Sequence, residues 1–483
     1  MPAAAYHFKH YATGPMKSKP LVICLSAAAL WCASSSLFAQ ALSNAPAPLP
    51  TDTQMELAKI EDLNALMQRA DRYKAEKDMR RYSYVMERML QLRPYSPTFL
   101  YRLSEAYAIL DQKTKAYDLL IKIQKQGLAI NPDLDKDFDP IRATPAFKYI
   151  VEGLQNNATP WGEGKAAITL SNSPELLESV AYDSKRQRFL VGSVRTGEIV
   201  SVSKDGSKTS IFAGPTNAAG LKSVFALATD DARGFLWVGT AGAPQFEGHK
   251  SADIGYATII KFDLANGKVL EAYPLPADGI PKNFGSIAVA ANGAVYATDA
   301  ITNVVYQIRD RKLRKLFDVS GSTSLRGIAV SPDEKFLYFV DYELGLRVAD
   351  LGKSEVRELT KDDQNLGGID GIYFYQDHLI VIQNGSIPTR VVRIKLDTDR
   401  KSIKGVQPLE ANKDALEMPT FGVMAGDDLY FIANSQRDLY AADGKPLEGN
   451  FPQARVLYQV SARFAWEADP KGGEIRAVPK AGK

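Results

Sequence analysis

One apolar phrase recurs six times along the C-terminal two-thirds of this chain of 483 residues. Its clearest copy, Gly327 to Asp341, reads as an apolar strand, a tight turn and a second strand that ends in a polar residue. The copies are spaced about 40 to 60 residues apart, which is the period of a four-stranded propeller blade. The other five copies begin at Ser179, Ala226, Ser286, Gly371 and Gly422.

Six such units are most stable when they close into a ring. A single blade leaves both of its faces uncovered and an open array leaves sheet edges exposed, whereas a ring covers the faces and keeps the edges short. The sequence therefore predicts a six-bladed β-propeller over residues 165–465, in which the strand at 165–170 completes the last blade. A β-sandwich, the alternative, predicts no phrase repeated at this period. Residues 466–483 are assigned to a C-terminal tail.

Residues 53–154 have apolar residues at helical spacing and no strand-like alternation. Two stretches, 63–96 and 97–130, overlay with a shift of 34 residues, the period of tetratricopeptide repeats. The fold class is thus mainly β, with an N-terminal α-helical, tetratricopeptide-like module. Two interpretations of the module stay open. It is either a docking surface for a peptide or a plain helical hairpin that covers one end of the propeller, because solenoids need about three repeats.

The first 41 residues have the parts of a secretory signal peptide. Lys17 and Lys19 follow Met16, a candidate true start, and an apolar run and an Ala-x-Ala step at Ala41 come next. Residues 42–52 form a Pro/Ala linker. These features predict a periplasmic or secreted protein that keeps no integral membrane segment after cleavage, because the apolar run is short of the roughly 20 residues that a span needs.

Loss of the leader also changes the charge and the cysteine content. The full chain has 59 basic and 56 acidic residues, and the leader contains three lysines and no acid, so the mature charge is close to zero. Such a charge gives no electrostatic case for binding nucleic acid. Both cysteines, Cys24 and Cys32, lie in the leader, so the mature chain has no disulfide and no cysteine-based metal site.

The repeated phrases resemble a known superfamily. Residues 178–183, 327–333 and 370–372 look like the regucalcin, gluconolactonase and luciferin-regenerating-enzyme superfamily of six-bladed propellers, over roughly residues 165–465. The resemblance implies the propeller fold. For an active lactonase it also implies a Ca²⁺ ion that is held by a Glu, two Asn and an Asp and that polarises a lactone carbonyl.

Alignment of the six phrases places one residue of each just before the innermost strand, at the mouth of the central channel. Among these six residues, Glu178 and Asp370 match the family's acidic metal ligands. Neither family asparagine is present at its aligned position, although Asn384 lies in a neighbouring loop. We call these six residues the mouth ring: Glu178, Phe225, Gly285, Arg326, Asp370 and Phe421.

Arg326 decides between two functional hypotheses. Because a guanidinium is always charged, it repels a metal ion and pairs with carboxylates. Two roles for Arg326 stay open: it neutralises Glu178 and Asp370 in a structural ion pair that closes the channel, or it binds an anionic or polar ligand between Phe225 and Phe421. The favoured prediction is an exported propeller that binds a small molecule or a protein or peptide partner at the channel mouth, without a cofactor. Its candidate residues are Glu178, Phe225, Arg326, Asp370, Phe421 and Asn384. The alternative is a Ca²⁺-dependent lactonase or esterase with Glu178 and Asp370 as metal ligands.

Overall fold

The computed structural model describes residues 51–170, 176–361, 364–449 and 453–463. Contacts divide the chain between Met55 and Glu56, and the described residues from Glu56 onward belong to one compact unit. The predicted leader, nearly all of the linker and the tail at 466–483 lie outside the described residues. No helix within the described ranges is both long and apolar enough to cross a lipid bilayer.

Residues 52–156, which we call the helical module, contain seven α-helices. Side chains of Asp62, Asp78, Ser96 and Thr144 accept hydrogen bonds from backbone N–H groups in the first turns of four of them, which fixes where these helices begin. The helices are α1 (Asp52–Leu57), α2 (Leu63–Ala75), α3 (Met79–Leu92), α4 (Pro97–Ile109), α5 (Lys113–Lys125), α6 (Asp139–Arg142) and α7 (Pro145–Asn156).

Two helical hairpins, α2–α3 and α4–α5, make up most of the module. The second hairpin follows the first by 34 residues, since α2 begins at Leu63 and α4 at Pro97. Their apolar faces share one core with α7, in which Leu66, Met86 and Phe147 are fully buried. The predicted helices are therefore present, whereas their assignment to tetratricopeptide repeats stays a prediction.

The rest of the chain is a six-bladed β-propeller, as predicted, and each blade is a four-stranded antiparallel sheet. Blade one contains β2 (Leu177–Asp183), β3 (Arg188–Ser193), β4 (Ile199–Ser203) and β5 (Thr209–Ala213). Blade two contains β6 (Ser223–Asp230), β7 (Phe235–Ala241), β8 (Ala257–Asp263) and β9 (Val269–Pro274). Blade three contains β10 (Phe284–Val289), β11 (Val295–Asp299), β12 (Val304–Arg309) and β13 (Lys312–Asp318).

The remaining three blades follow the same order, from the innermost strand outward. Blade four contains β14 (Leu325–Val330), β15 (Phe336–Asp341), β16 (Gly345–Asp350) and β17 (Glu355–Glu358). Blade five contains β18 (Ile369–Tyr375), β19 (His378–Gln383), β20 (Arg390–Leu396) and β21 (Ile403–Ala411). Blade six contains β22 (Gly422–Ala425), β23 (Asp428–Ile432), β24 (Arg455–Ser461) and β1 (Lys165–Leu170).

The ring is closed by packing and by β1. Each pair of neighbouring blades shares a hydrophobic core. The core between blades six and one includes Leu457 from the first and Phe189 from the second, together with Ile168 from β1. Because β1 precedes blade one in sequence but pairs with β24 in blade six, it ties the two ends of the propeller together, as the sequence predicted.

The helical module contacts the propeller at blade five. Ala129 N donates to Ile387 O at 2.8 Å, and Arg390 Nη1 donates to Gln126 O at 2.8 Å. Arg390 is buried, and this burial lowers its pKa to about 10. Its strand, β20, begins where β19 ends, and β19 ends beside the start of β18. The junction therefore lies at the end of the propeller where the innermost strands begin, which is the end that carries the mouth ring.

Candidate functional site

Each of the first five innermost strands has an irregularity at its mouth-ring residue. The pairing register shifts across Glu178, Phe225, Gly285 and Asp370, and the corresponding shift in blade four spans Arg326 and Gly327. A β-bulge inserts a residue that the ladder leaves unpaired and re-aims its side chain. The sixth member, Phe421, directly precedes β22. In each of these five blades, the repeat therefore contains one residue whose side chain does not follow the alternation of the strand between its two faces.

The charged members of the ring lie close together around a second arginine, Arg437. Arg437 Nε lies 3.0 Å from Glu178 Oε1, and Arg437 Nη2 donates to Glu178 Oε2 at 3.3 Å. The same Nη2 lies 3.6 Å from Asp370 Oδ2. One guanidinium therefore bridges acids from blades one and five. The Glu178 charge raises the pKa of Arg437 above its usual range, although burial opposes this, and Asp370 adds to the rise.

Asp370 is the most deeply buried charge of the ring, with 2% of its side chain exposed. Asn384 Nδ2 donates to Asp370 Oδ2 at 2.5 Å and to Pro419 O at 2.8 Å. The Asn384 Oδ1 accepts from the Tyr342 hydroxyl at 3.0 Å. Burial, with a smaller contribution from the Asp370 charge, raises the pKa of Tyr342 to about 12. Asp370 Oδ1, by contrast, has no hydrogen-bond partner among the described residues.

Arg326 is held more loosely than Arg437. Its Nε lies 3.6 Å from Asp370 Oδ1, but this contact lacks hydrogen-bond geometry, and the Nε is buried without a hydrogen-bond partner in the described part of the chain. The guanidinium also lies 5.3 Å from the centre of the Tyr342 ring. Its side chain remains 27% exposed. Arg326 therefore has N–H donors that the surrounding protein leaves open.

The structure brings all six candidate residues to this end of the propeller. Phe225 and Phe421 are half-buried and line the axial cavity of about 260 Å³, together with side chains of the innermost strands. Asn384 contacts Asp370 directly. Arg326 forms an ion pair with Asp370, whereas Arg437 forms the ion pair with Glu178. The acid-neutralising role that the sequence assigned to Arg326 is thus divided between two arginines.

Sequence reasoning missed Arg437, which lies in the connection between β23 and β24. We call the described residues 433–449 of this connection the mouth segment. It contains a short 3₁₀ turn, Arg437–Leu439, preceded by Gln436 in the left-handed conformation (φ 52°). The length of this connection was the available signal, because the other blades join the same two strands more briefly, apart from the insertion at 242–256 in blade two.

The mouth segment packs across neighbouring blades. Tyr440 joins an apolar cluster with Leu176 and Val194 from the region of blade one, against which Phe225 and Leu439 also pack. Arg195 Nη1 donates to the backbone oxygen of Gly444 at 2.7 Å. These contacts fix the segment that carries Arg437 over the mouth ring.

The residues present do not fit a Ca²⁺ ion of the kind implied by the superfamily. Such an ion takes six to eight oxygen ligands, but the guanidinium of Arg437 stands between the two acids and that of Arg326 lies beside one of them. Asn384 directs its amide N–H toward Asp370 rather than its oxygen. The side chains form an ion-pair network, in which Arg437 and Arg326 supply the positive charge that faces the two acids.

Comparison with known proteins agrees with the fold. No protein-family model matches the sequence, and no curated protein matches it. Solved six-bladed propellers do match: a gluconolactonase from Xanthomonas campestris is 14% identical with a TM-score of 0.43, over 63% of this chain and 91% of that one. The calcium-binding protein regucalcin from Agrobacterium tumefaciens is 16% identical with a TM-score of 0.42, over 62% and 98% of the two chains.

A luciferin-regenerating enzyme is 13% identical with a TM-score of 0.41, over 62% of this chain and 95% of the other. The six-bladed propeller that the resemblance of the repeated phrases implies is present in the structure itself. At such identities the likeness concerns the fold alone, since one propeller scaffold hosts many functions.

Proposed function

We propose that this protein is an exported propeller that binds a small organic acid at its channel mouth, through Arg326. The observation that carries the proposal is the state of Arg326, whose ion pair with Asp370 lies at 3.6 Å without hydrogen-bond geometry while 27% of its side chain is exposed. A guanidinium fork matches a carboxylate in a bidentate geometry. The leader predicted at residues 1–41 supports export to the periplasm or the medium.

The depth of the charges supports an acidic ligand over a basic one. The side chains of Asp370 and Glu178 are 2% and 12% exposed, whereas those of Arg326 and Arg437 are 27% and 35% exposed. A molecule that enters from the mouth therefore meets N–H donors before it meets carboxylates. Phe225 and Phe421 add half-buried aromatic surface beside the axial cavity, which suits an apolar body attached to the acid group.

The same geometry supports binding rather than Ca²⁺-dependent lactone hydrolysis. A Lewis acid is needed in that reaction to polarise the carbonyl, and the acids that would hold it are engaged by arginines. The proposed function therefore requires no divalent ion. The helical module, which contacts blade five at the mouth end, is proposed as an accessory element for the same ligand or for a partner protein.

The test is a set of small aliphatic and aromatic carboxylic acids, each paired with its neutral amide. Thermal unfolding of the mature protein is followed, because a ligand that binds only the native state raises the unfolding midpoint. We expect a rise with at least one acid and none with its amide. Arg326→Gln should abolish this rise, whereas Arg357→Gln, a loss of the same charge on the outermost strand of blade four, should preserve it.

Two results would contradict the proposal. One is that no acid raises the midpoint of the wild-type protein. The other is that an acid does so equally in the Arg326→Gln variant, which would place its binding elsewhere. Hydrolysis of aldonolactones that requires Ca²⁺ and is lost on chelation would support the enzymatic alternative instead.

A further inference from the structure

The ring acids are arranged as ligands around a single positive charge. Glu178 and Asp370 come from blades one and five, and both carboxylates point to the guanidinium of Arg437 at 3.0 Å and 3.6 Å. Thr420 Oγ1 also donates to Glu178 Oε2 at 3.1 Å. Carboxylate oxygens from blades one and five therefore converge on one point, and the side chain of Arg437 supplies the positive charge there.

A second observation points to the same place. The Asp370 side chain is almost fully buried, yet its Oδ1 has no hydrogen-bond partner in the described ranges. A carboxylate oxygen that lacks a hydrogen bond is costly to bury, and the loose contact of this one with Arg326 Nε at 3.6 Å compensates only in part. This oxygen is available for coordination once the neighbouring guanidiniums are removed.

We infer that Arg437 is a built-in cation that takes the place of a Ca²⁺ ion between Glu178 and Asp370. The inference is independent of the ligand proposed for Arg326, because it concerns the acids beneath that ligand. Since a guanidinium does not lose its charge at any physiological pH, the ring acids are neutralised without a metal. The mouth segment, which carries Arg437, thereby sets which cation the acids accept.

The experiment uses CaCl₂ alone as the probe, with protein that has been treated with chelator and dialysed. Calorimetric titration should detect no binding to the wild-type protein. Arg437→Gln should gain binding, and the double variant Arg326→Gln/Arg437→Gln should bind more tightly, because Arg326 still lies 3.6 Å from Asp370 in the single variant. We expect a Kd of about 10⁻⁴ to 10⁻³ M for the double variant, the range of extracellular Ca²⁺ modules.

Two further variants control for charge and folding. Arg437→Lys keeps a cation beside the acids and should not gain Ca²⁺ binding, and Arg357→Gln removes an equal charge elsewhere and should not gain it either. Circular dichroism before titration shows that each variant is folded, and Ca²⁺ should raise the unfolding midpoint only in variants that lack Arg437.

Specific results overturn the inference. It is wrong if the folded double variant does not bind Ca²⁺, or if the wild-type protein binds Ca²⁺ as tightly as the double variant. Equal gains in Arg437→Gln and Arg357→Gln would also overturn it, because they would reflect net charge alone. None of these results bears on organic acid binding, which is measured with calcium absent.

Discussion

Two of the regions in which this chain buries carboxylates differ in their surroundings. At the channel mouth, Glu178 and Asp370 face the guanidinium of Arg437. In the helical module, Glu105 on α4 lies among two further acids, Asp135 and Asp137, and we call these three the helical acidic cluster; their nearest carboxylate oxygens are within 4.8 Å of one another. The cation beside this cluster is an ammonium, Lys74, which is 3.7 Å from Glu105 and 3.6 Å from Asp137.

The consequence is a different protonation behaviour. Burial raises the pKa of Glu105 to about 8, with a smaller contribution from its hydrogen bond with Asp135, while Lys74 opposes the rise. At the mouth, by contrast, the positive charge is a guanidinium whose own pKa is raised by Glu178. One region thus neutralises its acids with a permanent charge, and the other lets an acid take up a proton.

The two regions differ in the kind of positive charge that faces their acids. A guanidinium stays charged over the whole physiological range, so the mouth ring has a permanent positive charge beside its acids. A half-exposed ammonium at more than 3.5 Å does not neutralise Glu105 as fully. The helical acidic cluster is therefore expected to respond to pH through Glu105.

Removal of Arg437 should produce the largest loss of stability at the mouth ring. Arg437→Gln leaves Glu178 and Asp370 buried without their shared cation, and the loss of one partner from a buried ion pair costs roughly 3–5 kcal/mol. We expect about 3 kcal/mol here, because Thr420 and Asn384 still donate to the two acids. Urea unfolding monitored by tryptophan fluorescence, in the absence of calcium, measures the change.

The matched comparison is Arg326→Gln, which removes a guanidinium that has only a loose ion pair with Asp370. It should cost less than about 1 kcal/mol, because its ion pair with Asp370 lies at 3.6 Å without hydrogen-bond geometry. Equal losses of stability in the two variants would contradict the division of roles between the arginines.

The fold was predictable because it depends on a local phrase repeated many times. The hairpins that begin at Ser179 and Gly327 each place an apolar strand on either side of a turn, and the closed ring follows from the need to cover both blade faces. Strand β1 was predictable for the same reason, since an incomplete sixth blade needs a fourth strand. The hairpins, the closed ring and β1 all depend on sequence periods rather than on individual side-chain positions.

The site was only partly predictable, because one of its principal charges does not belong to the repeat. Glu178, Arg326 and Asp370 were found since each occupies the same position in its phrase. Arg437 occupies no such position, and its place over the ring depends on the tertiary packing of Tyr440 and the contact of Gly444 with Arg195. Long-range packing of an irregular segment has no periodic signature in a single sequence.

The helical acidic cluster should give the protein a stability that falls with rising pH. The pKa of Glu105 is raised from 4.5 to about 8 in the folded state, so the folded protein binds more protons than the unfolded chain between these values. The stabilisation is fully present below pH 4.5 and is lost as the pH rises toward 8. We expect a total loss of up to about 5 kcal/mol relative to Glu105→Gln, since one pKa unit corresponds to about 1.4 kcal/mol.

Urea unfolding of both proteins between pH 5 and 8.5 measures this difference, since groups common to the two proteins cancel. Parallel curves for the wild type and Glu105→Gln would show that Glu105 does not take up a proton on folding.

Lys74 should tune this response by a smaller amount. Its charge lowers the pKa of Glu105, so Lys74→Gln should move the pKa of Glu105 further upward. Because Lys74 is half-exposed and lies 3.7 Å away, solvent screens its charge, and we expect a shift of a few tenths of a pH unit. The stability lost between pH 4.5 and 8 should then be lost at slightly higher pH.

Titration of the Glu105 carboxyl carbon by NMR measures the shift directly, and Lys122→Gln, on the exposed face of α5, is the control for net charge. A lower Glu105 pKa in the Lys74 variant, or an equal shift in both variants, would mean that the ammonium does not act on this acid and that burial alone sets its protonation.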